Sequence, residues 1–197
     1  MGLRKAGIVV LIGLLAAVGP PAADAAGPWK AQVVDADAGQ PLEGVVVLAS
    51  WIKYTSSVGG WAGGKFHDAQ EVVTGPDGRF EIAERATWTL NPFRRIAGPT
   101  VVIFKPGYGQ WRFRGAKDWP TDAVQRKPFV REAWEKFTSV GIGIELPPLK
   151  TREERLKFLG SVGWAPVVPL TATRRLQQLI DEERVDFGLP KMYEGSR

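Results

Sequence analysis

Residues 45–54 have the sequence VVVLASWIKY, in which apolar side chains fill both alternating sets of positions. A strand with one face in water alternates apolar and polar residues, whereas a strand covered on both faces is apolar almost throughout. This stretch therefore predicts a central strand with a different layer packed on each of its faces. One face carries Val45, Val47, Ala49 and Trp51, and the other carries Val46, Leu48, Ser50 and Ile52.

Short β-type runs flank this central strand and are separated by turn residues. In one of them, Phe80 and Ile82 alternate with charged residues, a pattern typical of a strand with one wet face. Gly75-Pro76-Asp77-Gly78 stands between two of the runs and predicts a β-hairpin. Short strands at such spacing indicate a mainly β protein, built as an antiparallel β-sandwich. The runs cover residues 29–36, 69–74, 79–84, 100–105 and 110–114.

Two longer segments interrupt the strands. Residues 55–68 contain four glycines around Trp61, and residues 85–99 contain Trp88 and the pair Arg94-Arg95. Both segments are predicted to be long loops, and loops of this length are often functional or flexible.

The pattern changes after Gly115. Residues 117–127 are polar, and residues 128–138 predict a short helix or an irregular cover. Residues 140–146 alternate apolar side chains with glycine and glutamate, which predicts a late strand that closes the sandwich.

Two helices are predicted near the C-terminus. Thr151 and Glu154 form a capping box, which marks the start of the first helix. The second helix is predicted over residues 171–187, with Gly188 as its stop. The chain then divides into a signal peptide (1–25), a β-sandwich (26–115), a cover segment with a closing strand (116–150) and a helical C-terminal extension (151–197).

The N-terminus has the features of a secretory signal peptide. Arg4 and Lys5 precede an apolar run, and Ala23-Asp24-Ala25 supplies small residues before a predicted cleavage site at Ala26. The alternative is a retained membrane anchor, although the apolar run is shorter than the roughly 20 residues of a transmembrane helix. We therefore expect a periplasmic or extracellular bacterial protein with no transmembrane span after cleavage.

The 197-residue chain contains one histidine and no cysteine. These counts exclude disulfides, thiolate zinc sites, iron–sulfur clusters and cysteine nucleophiles within the chain. No cofactor and no metal site are predicted. The 26 basic residues only modestly outnumber the 21 acidic ones, and no nucleic-acid-binding motif is present. Nucleic acid is therefore not an expected partner.

Three short motifs stand in the order and spacing of a known module: Asp37-Ala38-Gly39-Gln40-Pro41-Leu42-Glu43-Gly44, Thr74-Gly75-Pro76-Asp77-Gly78-Arg79-Phe80 and Lys105-Pro106-Gly107-Tyr108. Over residues 29–108 the chain resembles the carboxypeptidase regulatory-like domain, a transthyretin-like (prealbumin-like) β-sandwich. The resemblance implies an accessory domain that is not itself catalytic. A zinc carboxypeptidase needs more histidine ligands than His67 alone can supply, so the chain is not expected to be an enzyme and no catalytic residue is assigned.

Four residues of the predicted loops are candidates for a binding site. Exposed tryptophans can stack on sugar rings or accept the side chains of a partner, while packing in the core is their alternative role. Trp51, Trp111 and Trp134 lie in apolar alternation and are assigned to the core. The four candidates are Trp61, His67, Trp88 and Arg94.

His67 has two interpretations. With Asp68 and Glu71 it would form a weak metal site or act as a general base, and otherwise it is a loop histidine that hydrogen-bonds locally. The favoured function is a non-catalytic accessory module that binds a protein or glycan of the bacterial cell envelope or supports its structure. The alternative is a glycan-binding module that uses Trp61, Trp88 or Trp119, and the third hypothesis is a hydrolase or metal-dependent enzyme centred on His67.

Overall fold

A computed structural model describes residues 25–87, 89–114 and 143–193. The described ranges do not include residues 1–24 of the predicted signal peptide, Trp88, Trp119, Trp134 or residues 116–142 of the predicted cover segment. The strands are β1 (Ala25–Ala26), β2 (Trp29–Asp35), β3 (Val46–Ser57), β4 (Gly60–Val73), β5 (Arg79–Ile82), β6 (Arg85–Ala86), β7 (Arg94–Phe104), β8 (Arg112–Phe113) and β9 (Gly143–Leu146). The helices are α1 (Arg152–Leu159), a short 3₁₀ helix (Leu170–Ala172) and α2 (Arg174–Asp186).

The strands form two main sheets that enclose a common core. One sheet has the order β5-β2-β9-β8, the other has the order β4-β3-β7, and β1 pairs separately with β6. The mainly β architecture with two sheets is confirmed and is compatible with a sandwich. The core between the sheets includes Trp29, Val33, Trp51, Phe80, Ile82, Trp111, Phe113, Ile144 and Leu146.

β3 is the central strand, as its sequence predicts. Val47 and Trp51 point into the core between the two sheets. On the opposite face, Val46 and Leu48 pack against Leu176 of α2 and its neighbours, in a second apolar cluster. The described chain therefore has three layers. β3 is buried between the β5-β2-β9-β8 sheet on one side and the helices on the other.

The sandwich is not purely antiparallel, which corrects the prediction. β9 lies parallel to β2, with Gln32 opposite Gly143 and Asp35 opposite Leu146. Parallel neighbours need a crossover connection of about a dozen residues or more. The connection from Phe113 to Gly143 is long enough for this, and no local sequence pattern shows the direction in which a strand will pair.

The predicted hairpin around Asp77-Gly78 is also wrong. β4 pairs with β3, whereas β5 pairs with β2, so the turn carries the chain from one sheet to the other. Gly78 has a φ of 69°, and a Cβ added there would collide with the carbonyl oxygen of Val33 on β2. Glycine is thus needed at position 78 because the turn packs closely against β2.

The two predicted long loops are mostly strands. Residues 55–68 form the outer part of a β3–β4 hairpin, which turns at Val58-Gly59. In the second segment β6 covers Arg85–Ala86 and β7 begins at Arg94, so the described positions between these strands are Thr87 and residues 89–93. These strands could not be predicted from the glycine-rich sequence, because they are held by backbone pairing with β3 and show little alternation of apolar and polar side chains.

The three sequence motifs meet at one end of the sandwich. The Tyr108 hydroxyl donates a hydrogen bond of 3.0 Å to Asp35, which borders the first motif. The buried Thr74 hydroxyl donates to the carbonyl of Leu42 at 2.6 Å and accepts from the amide of Val45 at 2.9 Å. These contacts fix the start of β3, so β3 runs from this end toward the opposite end of its sheet.

Both α-helices lie within residues 151–193. The capping box is present, since the Thr151 hydroxyl accepts from the Glu154 amide and the Glu154 carboxylate accepts from the Thr151 amide. α2 begins at Arg174, after the 3₁₀ turn, which is slightly later than predicted. Glu183 of α2 forms a 2.7 Å ion pair with Arg155 of α1 and accepts from the Gly107 amide, so both helices are tied to the sandwich.

Candidate binding surface

The outer parts of β3, β4 and β7 extend beyond the buried core. Along β3 the side chains are buried from Val46 to Ile52 and exposed from Thr55 to Ser57. We call residues 53–66 together with residues 93–97 the ribbon. Its backbone is held by pairing of β3 with both neighbours, which keeps an exposed segment ordered without a covering layer.

One face of the ribbon carries an aromatic and cationic cluster. Tyr54 lies directly opposite Arg95 across the β3–β7 pair. The Arg95 guanidinium lies 5.8 Å from the centre of the Tyr54 ring and 5.1 Å from that of Trp61. Such cation–π contacts hold a positive charge at an exposed site with little loss of its hydration. Trp61 keeps 45% of its surface exposed.

The opposite face of the ribbon is basic. Lys53 and Lys65 lie directly across from each other on β3 and β4, and Arg94 lies opposite Thr55 on the same face. Like charges at directly opposed positions repel each other. Within the described ranges, no carboxylate forms an ion pair with these three side chains. This face therefore presents uncompensated positive charge.

The tip of the ribbon is apolar. Val58, in the β3–β4 turn, is fully exposed, and Phe93 is 66% exposed. The two segments are joined because the Ser56 amide donates a 2.7 Å hydrogen bond to the carbonyl of Phe93. Leu90, in the loop that leads to Phe93, is also largely exposed. We call Val58 and Phe93 the ribbon tip.

The sequence adds one property of the whole region. Residues 53–67 and 86–104 contain Lys53, Lys65, Arg94 and Arg95 but no aspartate or glutamate. The ribbon is therefore basic on both faces and apolar at its end. A surface of this kind attracts anions through its local field, even though the net charge of the whole chain is small.

The predicted site residues have separate outcomes. Trp61 and Arg94 both lie on the ribbon, on opposite faces. His67 is exposed on β4 at the base of the ribbon, where the pairing with β3 shifts by one residue. Trp88 lies outside the described residues. Trp51 and Trp111 are buried, so their assignment to the core is confirmed.

Asp68 and Glu71 do not join His67 in one cluster. Asp68 lies opposite Trp51 on the core side of β4 and forms a 2.6 Å ion pair with Arg85. Glu71 lies opposite Leu48 on the helix side, where its carboxylate accepts from the backbone amides of α2 at 2.9 and 3.0 Å. Strand alternation thus sends the two carboxylates to opposite faces. Across residues 25–87, 89–114 and 143–193, no group of three metal-ligating side chains is present.

A cavity of about 430 Å³ lies against α2 and is lined by Gln178, Asp181, Glu182, Val185, Asp186 and Lys191. Asp181 already accepts a 2.7 Å hydrogen bond from the Met192 amide and others from the Tyr193 amide. Its carboxylate therefore holds the segment that follows α2 against the helix. The ribbon is the stronger candidate surface because Lys53, Lys65 and Arg94 form no ion pair with a carboxylate in the described part of the chain.

Tyr54 and Arg95 were missed as candidates by sequence reasoning. Their cluster arises because β3 pairs with β7 in a register that places them opposite each other. The available signal was the absence of acidic residues from two separate segments that both contain aromatic and basic side chains.

The fold and this surface define a class of protein: a mainly β chain with two sheets, a helical layer and an exposed basic ribbon. In the part of the chain that is described, neither α-helix has the length and apolar character needed to cross a bilayer. No protein-family model, curated protein or solved structure matches the chain. The resemblance to the carboxypeptidase regulatory-like domain therefore stays a prediction.

Proposed function

We propose that the protein is an exported, non-catalytic binding module of the bacterial cell envelope, and that the ribbon is its binding surface. The observation that carries the proposal is the combination of two surfaces. Trp61, Tyr54 and Arg95 lie on one face, and the other face carries basic groups that form no ion pair with a carboxylate among the described residues. The signal-peptide pattern of residues 1–25 supports export. The transthyretin-like resemblance supports an accessory role, since such domains are not catalytic.

A glycan is the second candidate ligand class. Trp61 favours it, because a partly exposed indole ring is a surface on which sugar rings stack. Trp88 and Trp119 remain proposed contributors to such a site.

The proposed function is tested with isolated bacterial envelope fragments. Purified protein is sedimented with the fragments, and the bound fraction is compared with that of Trp61→Ala/Arg95→Ala. We expect at least a tenfold weaker association for this variant, because aromatic and arginine residues dominate binding surfaces.

The matched control is Lys157→Ala/Val185→Ala, which removes exposed side chains from the helical layer. The control should bind like the wild type. Failure of the wild type to bind would overturn the proposal, and so would equal binding by the Trp61→Ala/Arg95→Ala variant.

A further inference from the structure

The ribbon presents its charges and its apolar side chains in different directions. Positive groups lie on both faces, with Arg95 on one and Lys65 and Arg94 on the other. The apolar ribbon tip lies at the outer end of the ribbon, where Val58 is in the β3–β4 turn and Phe93 immediately precedes β7, next to Ser56. A ligand that stacks on one face would contact only part of these groups.

A planar anionic surface, in contrast, would contact all of them in one orientation. If the hairpin meets such a surface end-on, Val58 and Phe93 reach it first and the basic groups of both faces form a collar behind them. We propose that the ribbon binds the surface of an anionic phospholipid bilayer, with the ribbon tip inserted among the lipid headgroups and acyl chains. This inference rests on the proposed function, because it names the ligand class of the same surface.

The basic and the apolar side chains of the ribbon would both contribute to binding a bilayer. Each basic side chain near an anionic leaflet strengthens binding about fivefold, and partial burial of apolar side chains adds to this attraction. The repulsion between Lys53 and Lys65 is relieved when lipid phosphates lie between them. Insertion of the tip removes exposed apolar surface from water.

The chemistry of the ribbon fits a sugar less well. Carboxylates and side-chain amides accept hydrogen bonds from sugar hydroxyls, and residues 53–66 and 93–97 contain none of these groups. Val58 and Phe93 offer no side-chain hydrogen bond at all. Arg95 also lies over the Trp61 ring and occupies space that a stacked sugar would need.

The test uses sedimentation with large vesicles of phosphatidylglycerol and phosphatidylcholine in equal parts, beside vesicles of phosphatidylcholine alone. We expect the purified protein to bind the anionic vesicles at least tenfold more strongly than the neutral ones, and high salt should reduce the difference. Equal binding to both vesicle types, or no binding to either, would overturn the inference.

Two double variants separate the contribution of the basic groups from that of the ribbon tip. Lys65→Gln/Arg94→Gln should weaken binding to anionic vesicles about 25-fold, because two basic groups are lost. Val58→Ser/Phe93→Ser should weaken it about tenfold or more through the lost apolar contact. All four side chains are exposed, so the fold should survive, as unchanged thermal unfolding would verify.

The matched controls are Lys157→Gln/Arg174→Gln and Val167→Ser/Val185→Ser, which make the same kinds of change on the exposed helical layer. They should bind vesicles like the wild type. If the ribbon and control variants weaken binding equally, the attraction is a property of net charge and the inference is wrong.

A soluble anionic polysaccharide is the second arm of the experiment. Binding to it that depends on Trp61 but not on Val58 and Phe93, without vesicle binding, would overturn the lipid inference and leave the proposed function standing. Ribbon-independent binding to envelope fragments, together with the absence of vesicle binding, would overturn both.

Discussion

At the scale of single residues, Asp35 joins two of the sequence motifs. Its carboxylate accepts hydrogen bonds of 2.8 Å from the amides of Ala38 and Asp37, and one of 3.0 Å from the Tyr108 hydroxyl. The Ala38 amide is the main reason that the pKa of Asp35 lies below its ordinary value. Burial first, and then the bond to Asp35, raise the pKa of Tyr108.

The lowered pKa of Asp35 makes the free energy of unfolding depend on pH in the acid range. Because the pKa of Asp35 is lower in the native chain than in the unfolded one, its stabilising effect is present above the unfolded value of about 3.9. The effect is lost as the pH falls from there through the native pKa. We expect Asp35→Asn to reduce the acid-dependent loss of unfolding free energy, measured by urea titration at neutral pH and near pH 3. Glu43→Gln, an exposed control, should unfold with the acid dependence of the wild type.

Tyr108→Phe tests the same contact from the other side. Removing a part-buried hydroxyl that donates to a charged group should lower the unfolding free energy by about 1–2 kcal/mol. A loss below a few tenths of a kcal/mol would mean that the bond does not hold the two motifs together.

At the scale of elements, Glu71 of β4 caps the N-terminus of α2. Its two carboxylate oxygens accept from the amides of Arg175 and Leu176. The first turn of a helix has amide groups without intrahelical partners and carries a partial positive charge, so a carboxylate there stabilises the helix. Thr173 precedes α2 but makes no side-chain capping bond, which leaves this task to a residue about a hundred positions earlier.

Glu71→Ala should therefore destabilise the protein by about 1–2 kcal/mol. Urea unfolding followed by far-ultraviolet circular dichroism measures the loss. Glu71→Gln keeps one oxygen acceptor and should lose less than Glu71→Ala. Glu84→Ala, an exposed control just after β5, should be close to neutral, and an equal loss in Glu84→Ala would contradict the capping role.

The turn at Asp77-Gly78 shows how far a local signal reaches. Gly75-Pro76-Asp77-Gly78 is a turn, as predicted, and the Gly78 amide donates to the Gly75 carbonyl at 2.9 Å. The turn sequence specifies a reversal of direction, but it does not specify whether the next strand joins the same sheet. Here the Val33 amide donates to the Gly78 carbonyl, so contact with β2 directs β5 into the β5-β2-β9-β8 sheet.

At the scale of the whole molecule, β3 couples the two apolar clusters. Val47, Ala49 and Trp51 lie in the core between the sheets, and Val46 and Leu48 lie in the cluster with α1 and α2. The Gly107 amide adds a second link by donating to the Glu183 carboxylate of α2. The same carboxylate pairs with Arg155 of α1 and raises the pKa of Arg155 through its hydrogen bonds. The helical layer and the sandwich should therefore unfold together.

Leu176→Ala tests this coupling. Leu176 is fully buried in the cluster between β3 and α2, and such a truncation costs about 2–5 kcal/mol. Tryptophan fluorescence and far-ultraviolet circular dichroism should show one coincident transition, shifted to lower urea in the variant. Val185→Ala, on the exposed side of α2, should shift it by less than about 0.5 kcal/mol. Separate transitions would show that the helical layer folds independently.

The sequence by itself determined the local features of this protein. The two-sided apolar pattern of residues 45–54 identified the central strand with both its layers, and Thr151 with Glu154 identified the start of α1. These features depend on side chains close together in the chain, where periodicity and capping act. Trp61 and Arg94 were also selected from their local composition.

Only the tertiary structure decided which distant segments meet. The parallel pairing of β9 with β2, the capping of α2 by Glu71, and the opposite faces of Asp68 and Glu71 all follow from strand register. The contact of Arg95 with Tyr54 and Trp61 has the same origin. Register is set by backbone hydrogen bonds and by the packing of whole layers, and a shift of one residue would move every side chain to the other face.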